Sequence, residues 1–157
     1  MTLADTPESV TGGVWLEGDI IVFSTLRGLY RLSSLGGTPA KIDGQDARRL
    51  AWLPGRRFLF TRPDGIFAGS VDGGRPVRIL PDRVLYAAYV PPAKPARVGH
   101  LLYLQGGVQQ QGGAATVQAA SSLAAQAFDA ESLNLQGQAI PLATPSKITW
   151  WQRALMA

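Results

Sequence analysis

The chain has no cysteine and a single histidine, His100. Without thiols it can form neither a disulfide nor a thiolate metal centre, and nothing in it reports a redox compartment. One imidazole is too few for a histidine-rich metal site. A Ser-His-Asp triad would have to use His100, which sits just before the apolar run LLYL, and no Gly-x-Ser-x-Gly elbow is present. A strand-edge or core role is the expectation for it. No apolar run approaches the roughly 20 residues needed to span a bilayer. The opening MTLADTPESV lacks the charged and apolar regions of a signal peptide. Blocks of like charge are absent too. The net charge is +4, carried mostly by arginines that are spread along the chain, from Arg27 and Arg31 through Arg48, Arg49, Arg56, Arg57 and Arg62 to Arg75, Arg78 and Arg83. Nucleic-acid binding asks for a clustered patch with stacking aromatics. A solvated basic surface is the plainer reading, and no nucleic-acid partner is expected.

Catalytic constellations are missing as well. The carboxylates Asp64, Asp72, Asp82, Asp129 and Glu131 are dispersed, and Asp64 and Asp72 each precede a glycine, where a turn explains them. The glycine pairs follow strands and lead into proline-containing strands rather than into a helix N-terminus, so they form no phosphate loop. The sequence therefore points to no catalytic, metal or cofactor-binding residue, and to no enzyme.

What is present is a core and many turns. Of 157 residues, 46% are apolar and 17% charged, enough for a packed interior and against wholesale disorder. Eighteen glycines and eleven prolines favour a β-rich chain over a helical bundle.

The chain also repeats itself. WLEGDIIVFSTLRGLYRLSSLGGTPAKI, Trp15 to Ile42, returns without a gap as WLPGRRFLFTRPDGIFAGSVDGGRPVRI, Trp52 to Ile79, an offset of 37 residues. Trp15 returns as Trp52, Gly28 as Gly65, Gly36 and Gly37 as Gly73 and Gly74. A looser third copy places Tyr89 at the next offset, then LLYL against FLFT, then, after a Gly/Gln/Ala-rich insert, Gly137 and Leu142 at the spacing of Gly37 and Ile42. Each copy reads as four short strands. The aromatic opens the first, DIIVFST and RFLFTR are second strands rich in β-branched and aromatic residues, and the Asp-Gly and Gly-Gly steps turn into the third and fourth. The second strands are apolar on both faces, with Ile20 and Val22 one way and Ile21 and Phe23 the other. A sheet with one solvated face would alternate, so these strands need cover on both sides. A radial array of four-stranded blades supplies it, which predicts a β-propeller.

The series WLPGRRFLFTRPDGIF then DGGRPVRIL resembles the WD-like propeller repeat of TolB-type proteins. The usual form there is Trp-Ser-Pro-Asp-Gly, an apolar strand, Asp-Gly, a further strand, Gly-Gly and an apolar end. LAAQAFD followed by LNLQGQAIPLA is similar to a blade of large bacterial proteins, among them serine/threonine kinases with a C-terminal propeller. Leu16 and Leu53 stand where that pattern has serine, and Glu17 where it has proline. No Gly-rich loop with Val-Ala-Ile-Lys, no His-Arg-Asp and no Asp-Phe-Gly is present, so kinase activity does not carry over.

The resulting expectation is all-β, with about three four-stranded antiparallel blades at 13–43, 50–80 and 86–143, a low-complexity loop at 105–122, and tails at 1–9 and 144–157. After the loop a strand is expected from about Leu123 to Phe128, and the competing reading is a helix from Ala114 to Phe128, on the helix propensity of Ala and Gln. Propellers have four to eight blades, so three leave the ring partial or in need of assembly. Trp15, Trp52 and Tyr89 read as one inter-blade packing position before they read as a stacking platform. A protein partner or self-association follows from the repeat, with dimerisation or aggregation expected over a monomer, and any small ligand is left open. Two chains closing a six-bladed ring is one form of this. An accessory role beside a kinase or hydrolase is another. The compartment would be cytoplasmic by default, or extracytoplasmic if the chain belongs to a membrane-anchored kinase.

Overall fold

A computed structural model describes residues 4–6, 8–81, 83–94, 96–106, 109–111, 114–116 and 121–143. All fourteen of its regular elements are strands: β1 Gly12–Leu16, β2 Ile20–Thr25, β3 Gly28–Ser33, β4 Ala40–Asp43, β5 Arg48–Leu53, β6 Arg57–Arg62, β7 Gly65–Ser70, β8 Val77–Leu80, β9 Val84–Val90, β10 Gly99–Gly106, β11 Gln109–Gln111, β12 Ala114–Thr116, β13 Ser121–Asp129 and β14 Asn134–Ala143. Consecutive strands pair into three antiparallel four-stranded sheets, β1 to β4, β5 to β8, and β9, β10, β13, β14. The registers repeat with the sequence. Trp15 opposes Ile21 and Ile21 opposes Leu32, just as Trp52 opposes Phe58 and Phe58 opposes Gly69.

Two details differ from the sequence reading. The repeated aromatic does not open its strand: Trp15, Trp52 and Tyr89 each lie near its end, because the strand begins several residues earlier. The low-complexity segment 105–122 is not one loop. β10 runs into it, β13 begins within it, and β11 and β12 form a small hairpin of their own. The helical alternative for Ala114–Phe128 gives way to strands, since pairing of β13 with β10 from Ser121 to Phe128 satisfies the backbone and buries Ala124 and Phe128. The expected tail at 144–157, whose Trp150-Trp151 pair the sequence offers equally as a cap over an exposed blade face or as part of a loose terminus, lies outside the described residues.

The sheets fan out from their first strands, with β1 beside β5 and β5 beside β9. Two apolar layers glue them. Leu16, Val22 and Leu29 of the first sheet meet Phe58, Phe60 and Phe67 of the second. Leu53, Leu59 and Ile66 of the second meet Leu101, Tyr103 and Phe128 of the third. Each such side chain, taken from water, contributes about 1.5–3 kcal/mol. The middle sheet is thus covered on both faces, and alternate residues of β6 point into different layers. That is why Phe58, Leu59 and Phe60 stand in an unbroken apolar run.

Arginines tie the layers together at their rims. Arg31 Nη1 donates to the Val71 carbonyl at 2.8 Å, and Arg57 Nη1 to the carbonyls of Ala130 and Glu131 at 2.8 and 3.0 Å. Arg62 is largely buried, stacked on Phe60 and Phe67 and paired with Asp43. Most arginines face water, as expected, and the partly buried Arg57 and Arg62 are the exceptions. The long stems of Arg31 and Arg57 lie along apolar sheet edges while the guanidinium reaches a carbonyl of the next sheet.

Candidate functional site

The first sheet shows one face to the second and turns the other outward. The register places Trp15, Ile21 and Leu32 in one outward row, and Phe23, Tyr30 and Lys41 in the next. Phe23 stacks on Tyr30 at 5.5 Å between centroids, and Lys41 Nζ lies 5.8 Å from the Tyr30 ring. The repeat-mates of these residues in the second sheet, Trp52, Phe58, Phe60 and Phe67, pack into the layer against the first sheet. The same positions therefore differ only in what lies over them. Phe58 is 0% exposed and Trp52 is half-buried, while Trp15 is 60% exposed.

Part of that outer face has its own cover. Asp5, Thr6 and Glu8 run past Phe23 and Tyr30, enclosing a cavity of about 260 Å3. Glu8 pairs with Arg27 at 3.2 Å. This segment keeps Phe23 buried although no sheet covers it. It does not reach Trp15, which makes no ring contact among the described residues.

Among the described residues no other sheet packs on the far side of the third sheet. Its outward rows are Val90, His100 and Ala127, then Ala88, Leu102 and Ala125, then Tyr86, Leu104 and Leu123. Tyr86 and Val90 are exposed, and so is Ile140 on the edge strand. His100 lies exposed in this apolar surface, at the start of β10, and belongs to no metal-holding cluster among the described residues.

The other repeat positions have structural surroundings. Gly28 and Gly65 begin the third strands at φ 137° and 146°, and a Cβ on either would run into the carbonyl of Asp43 or Leu80. Gly36, Gly37, Gly73 and Gly74 hold positive φ in open turns. Trp52 and Tyr89 meet each other at 5.8 Å, and Tyr89 meets Phe128 at 6.1 Å. So the three repeated aromatics are not one platform: two of them touch, and Trp15 stands apart. Trp52 and Tyr89 also wall an open cleft of about 570 Å3 with Pro54, Arg97 and Asp129. Burial pushes the Tyr89 phenol above its ordinary value, and the nearby Asp129 carboxylate adds to this. Asp129 itself is held low by hydrogen bonds from the Ser132 side chain and from the backbone of Glu131 and Ser132.

No family model matches the chain, and no curated protein matches it. A solved structure described as the nidogen/laminin complex does match by shape. The TM-score is 0.60 at 14% identity, over 88% of this chain and 49% of the other. Three antiparallel four-stranded sheets fanned on their first strands, and this likeness, decide the architecture. The fold is that of a β-propeller. The chain spans about half the length of the propeller-containing chain it matches, and its three sheets are three blades. At this identity the likeness carries the fold alone. What the sequence reading missed is chemical: the arginine clamps. Arg57 stands where the first repeat has Ile20, and Arg62 where it has Thr25, so the repeat pattern gave no signal for either.

Proposed function

We propose that this chain is a non-catalytic β-propeller module that binds protein through the outer faces of its end blades. One observation carries the reading. Trp15 is 60% exposed at a position whose counterpart, Trp52, is packed between blades. An exposed aromatic in an apolar face beside buried repeat-mates marks an interaction surface. What suits the Trp52 position is a neighbouring blade, so a blade is the shape that suits Trp15. The solved structure that this chain resembles is a protein–protein complex, which supports the same reading. We further propose, from the resemblance of its repeats to TolB-type blades, that the module is an accessory part of a larger bacterial signalling protein, beside a kinase or hydrolase domain. Purified chain that keeps hydrolytic or transferase activity through successive columns would sink the non-catalytic reading.

A second copy is the partner that the faces themselves favour. The outer face of the third blade is the repeat counterpart of the face with which the first and second blades receive their neighbours. Contact of a third blade with a first blade of another chain is heterologous. Two such contacts make six blades, within the four to eight of ordinary propellers. Light scattering after gel filtration tests this. A dimer is expected for the wild type, and a monomer for Trp15→Glu. Wild-type chain that stays monomeric at every concentration would leave only a different protein as partner.

A further inference from the structure

Arginines that are spread through the sequence converge in space. Arg48 and Arg49 open β5, Arg62 closes β6, and Arg83 precedes β9. With Asp46 and Thr61 they line a cleft of about 380 Å3 between the second and third blades, at the end of the fan where the first strands begin. A bulge builds it. The register of β5 on β6 shifts between Arg48 and Ala51, and Arg49 leaves the ladder with φ 53°. Arg83 holds φ 73°. Left-handed backbone is unfavourable for a residue with a Cβ, and glycine or asparagine would sit there more cheaply.

Among the described residues the charges do not cancel. Arg48 pairs with Asp46 at 3.0 Å and Arg62 with Asp43 at 2.9 Å. Arg49 spends one N–H on a neutral acceptor, the Leu85 carbonyl at 2.9 Å. Arg83 has no ion pair among the described residues. Two donors in the lining residues are also orphaned. Thr61 Oγ1 and Arg62 Nε are buried and meet no hydrogen-bond partner among the described residues. Each such group is destabilising while it stays unmatched.

We propose that this cleft binds an oxyanion, a small ligand carrying a phosphate or carboxylate group. Guanidinium groups present paired N–H donors that match the oxygens of both. Arg49 and Arg83 supply charge that no carboxylate among the described residues pairs. Arg48 and Arg62, held by their own carboxylates, fix the shape of the wall, and small shifts of Thr61 and Arg62 would satisfy their orphaned donors. The volume lies in the range of small-molecule sites, which leaves room for an organic body behind the anionic group. The inference goes beyond the protein-binding reading, since it uses neither outer blade face.

The test is titration of the whole chain with inorganic phosphate, citrate and acetate, each at ionic strength matched with chloride, followed by melting temperature and by amide chemical shifts. Saturable shifts confined to the β5, β6 and β9 ends are expected with at least one of these anions. Phosphate and the carboxylates serve to separate the two ligand sources. The double variant Arg49→Gln/Arg83→Gln should weaken binding by about tenfold or more, the size of a lost hydrogen-bonded charge. Arg75→Gln/Lys94→Gln, which removes equal charge elsewhere, should leave it unchanged. Far-UV circular dichroism checks that both variants fold, and single Arg83→Gln serves if the double variant does not. Shifts no larger than chloride gives, or equal weakening by the two double variants, would overturn the proposal. So would a duplex oligonucleotide that binds at these residues and is not displaced by phosphate or citrate.

Discussion

Trp15 and Trp52 are the same residue in the same register, so they make an internal control. Trp52→Ser removes a half-buried ring that contacts Tyr89, and should destabilise the fold by about 2 kcal/mol or more. Trp15→Ser removes a ring that is 60% exposed, and should change the stability of the isolated chain by less than about 1 kcal/mol. Chemical denaturation of dilute protein checks both. Glycines separate in the same way. Gly74 sits at φ 97° with nothing near its missing Cβ, so Gly74→Ala should cost about 1 kcal/mol of backbone strain. At Gly65 a Cβ would also strike the Leu80 carbonyl, and Gly65→Ala should cost at least about twice as much. Tyr89 gives the pH dependence. Burial, then the charge of Asp129, raises its pKa above the ordinary 10.0. The folded chain therefore holds that proton more tightly than the unfolded chain does. The resulting stability is complete below about pH 10 and is lost as pH rises through the folded value. Denaturant unfolding between neutral and strongly alkaline pH should show this loss, smaller in Tyr89→Phe.

At the scale of elements, much was legible because two rules of local chemistry recur with the repeat. Runs such as DIIVFST and RFLFTR are too β-branched and aromatic for anything but strands, and Asp-Gly and Gly-Gly fix where they turn. Apolar residues on both faces of β2 and β6 announced cover on both sides, and β6 has it. The insert was harder to read. Ala and Gln carry high helix propensity, and only pairing with β10, a partner distant in sequence, makes β13 a strand. The arginine clamps were illegible for another reason. A carbonyl acceptor leaves no mark in a sequence, so nothing in Arg57 foretold Ala130 and Glu131. Nor did the opening residues foretell that Asp5, Thr6 and Glu8 would lie over the first blade. That segment occupies part of the face a neighbouring blade would use. Removing residues 1–9 should therefore strengthen self-association while lowering the stability of the monomer. Sedimentation velocity across a concentration series would show the first effect and denaturation of dilute protein the second. Weaker association without the segment would mean that it belongs to the contact rather than competing with it.

Among the described residues the molecule is a short stack in which only the middle blade has two neighbours. In such quasi-one-dimensional arrays stability is a sum of blade and interface terms, and an end blade lacks one interface. β6 and β7 lie between both apolar layers, with Phe58, Leu59, Phe60 and Ile66 at 1% exposure or less. β2 and β10 each border one layer and the outside. Native-state hydrogen exchange should reflect this directly. In dilute solution the amides of β6 and β7 should exchange slowest, near the global unfolding limit, and those of β2 and β10 faster through local opening of an end blade. If end blades of two chains cover one another, raising the concentration should slow exchange in β2 and β10 and leave β6 and β7 almost unchanged, because the middle blade gains no contact. Trp15→Glu should abolish that concentration dependence without altering the pattern of the dilute chain. A dimer by light scattering whose β2 and β10 amides exchange at a concentration-independent rate would place the contact elsewhere, and would remove the end faces as the binding surface.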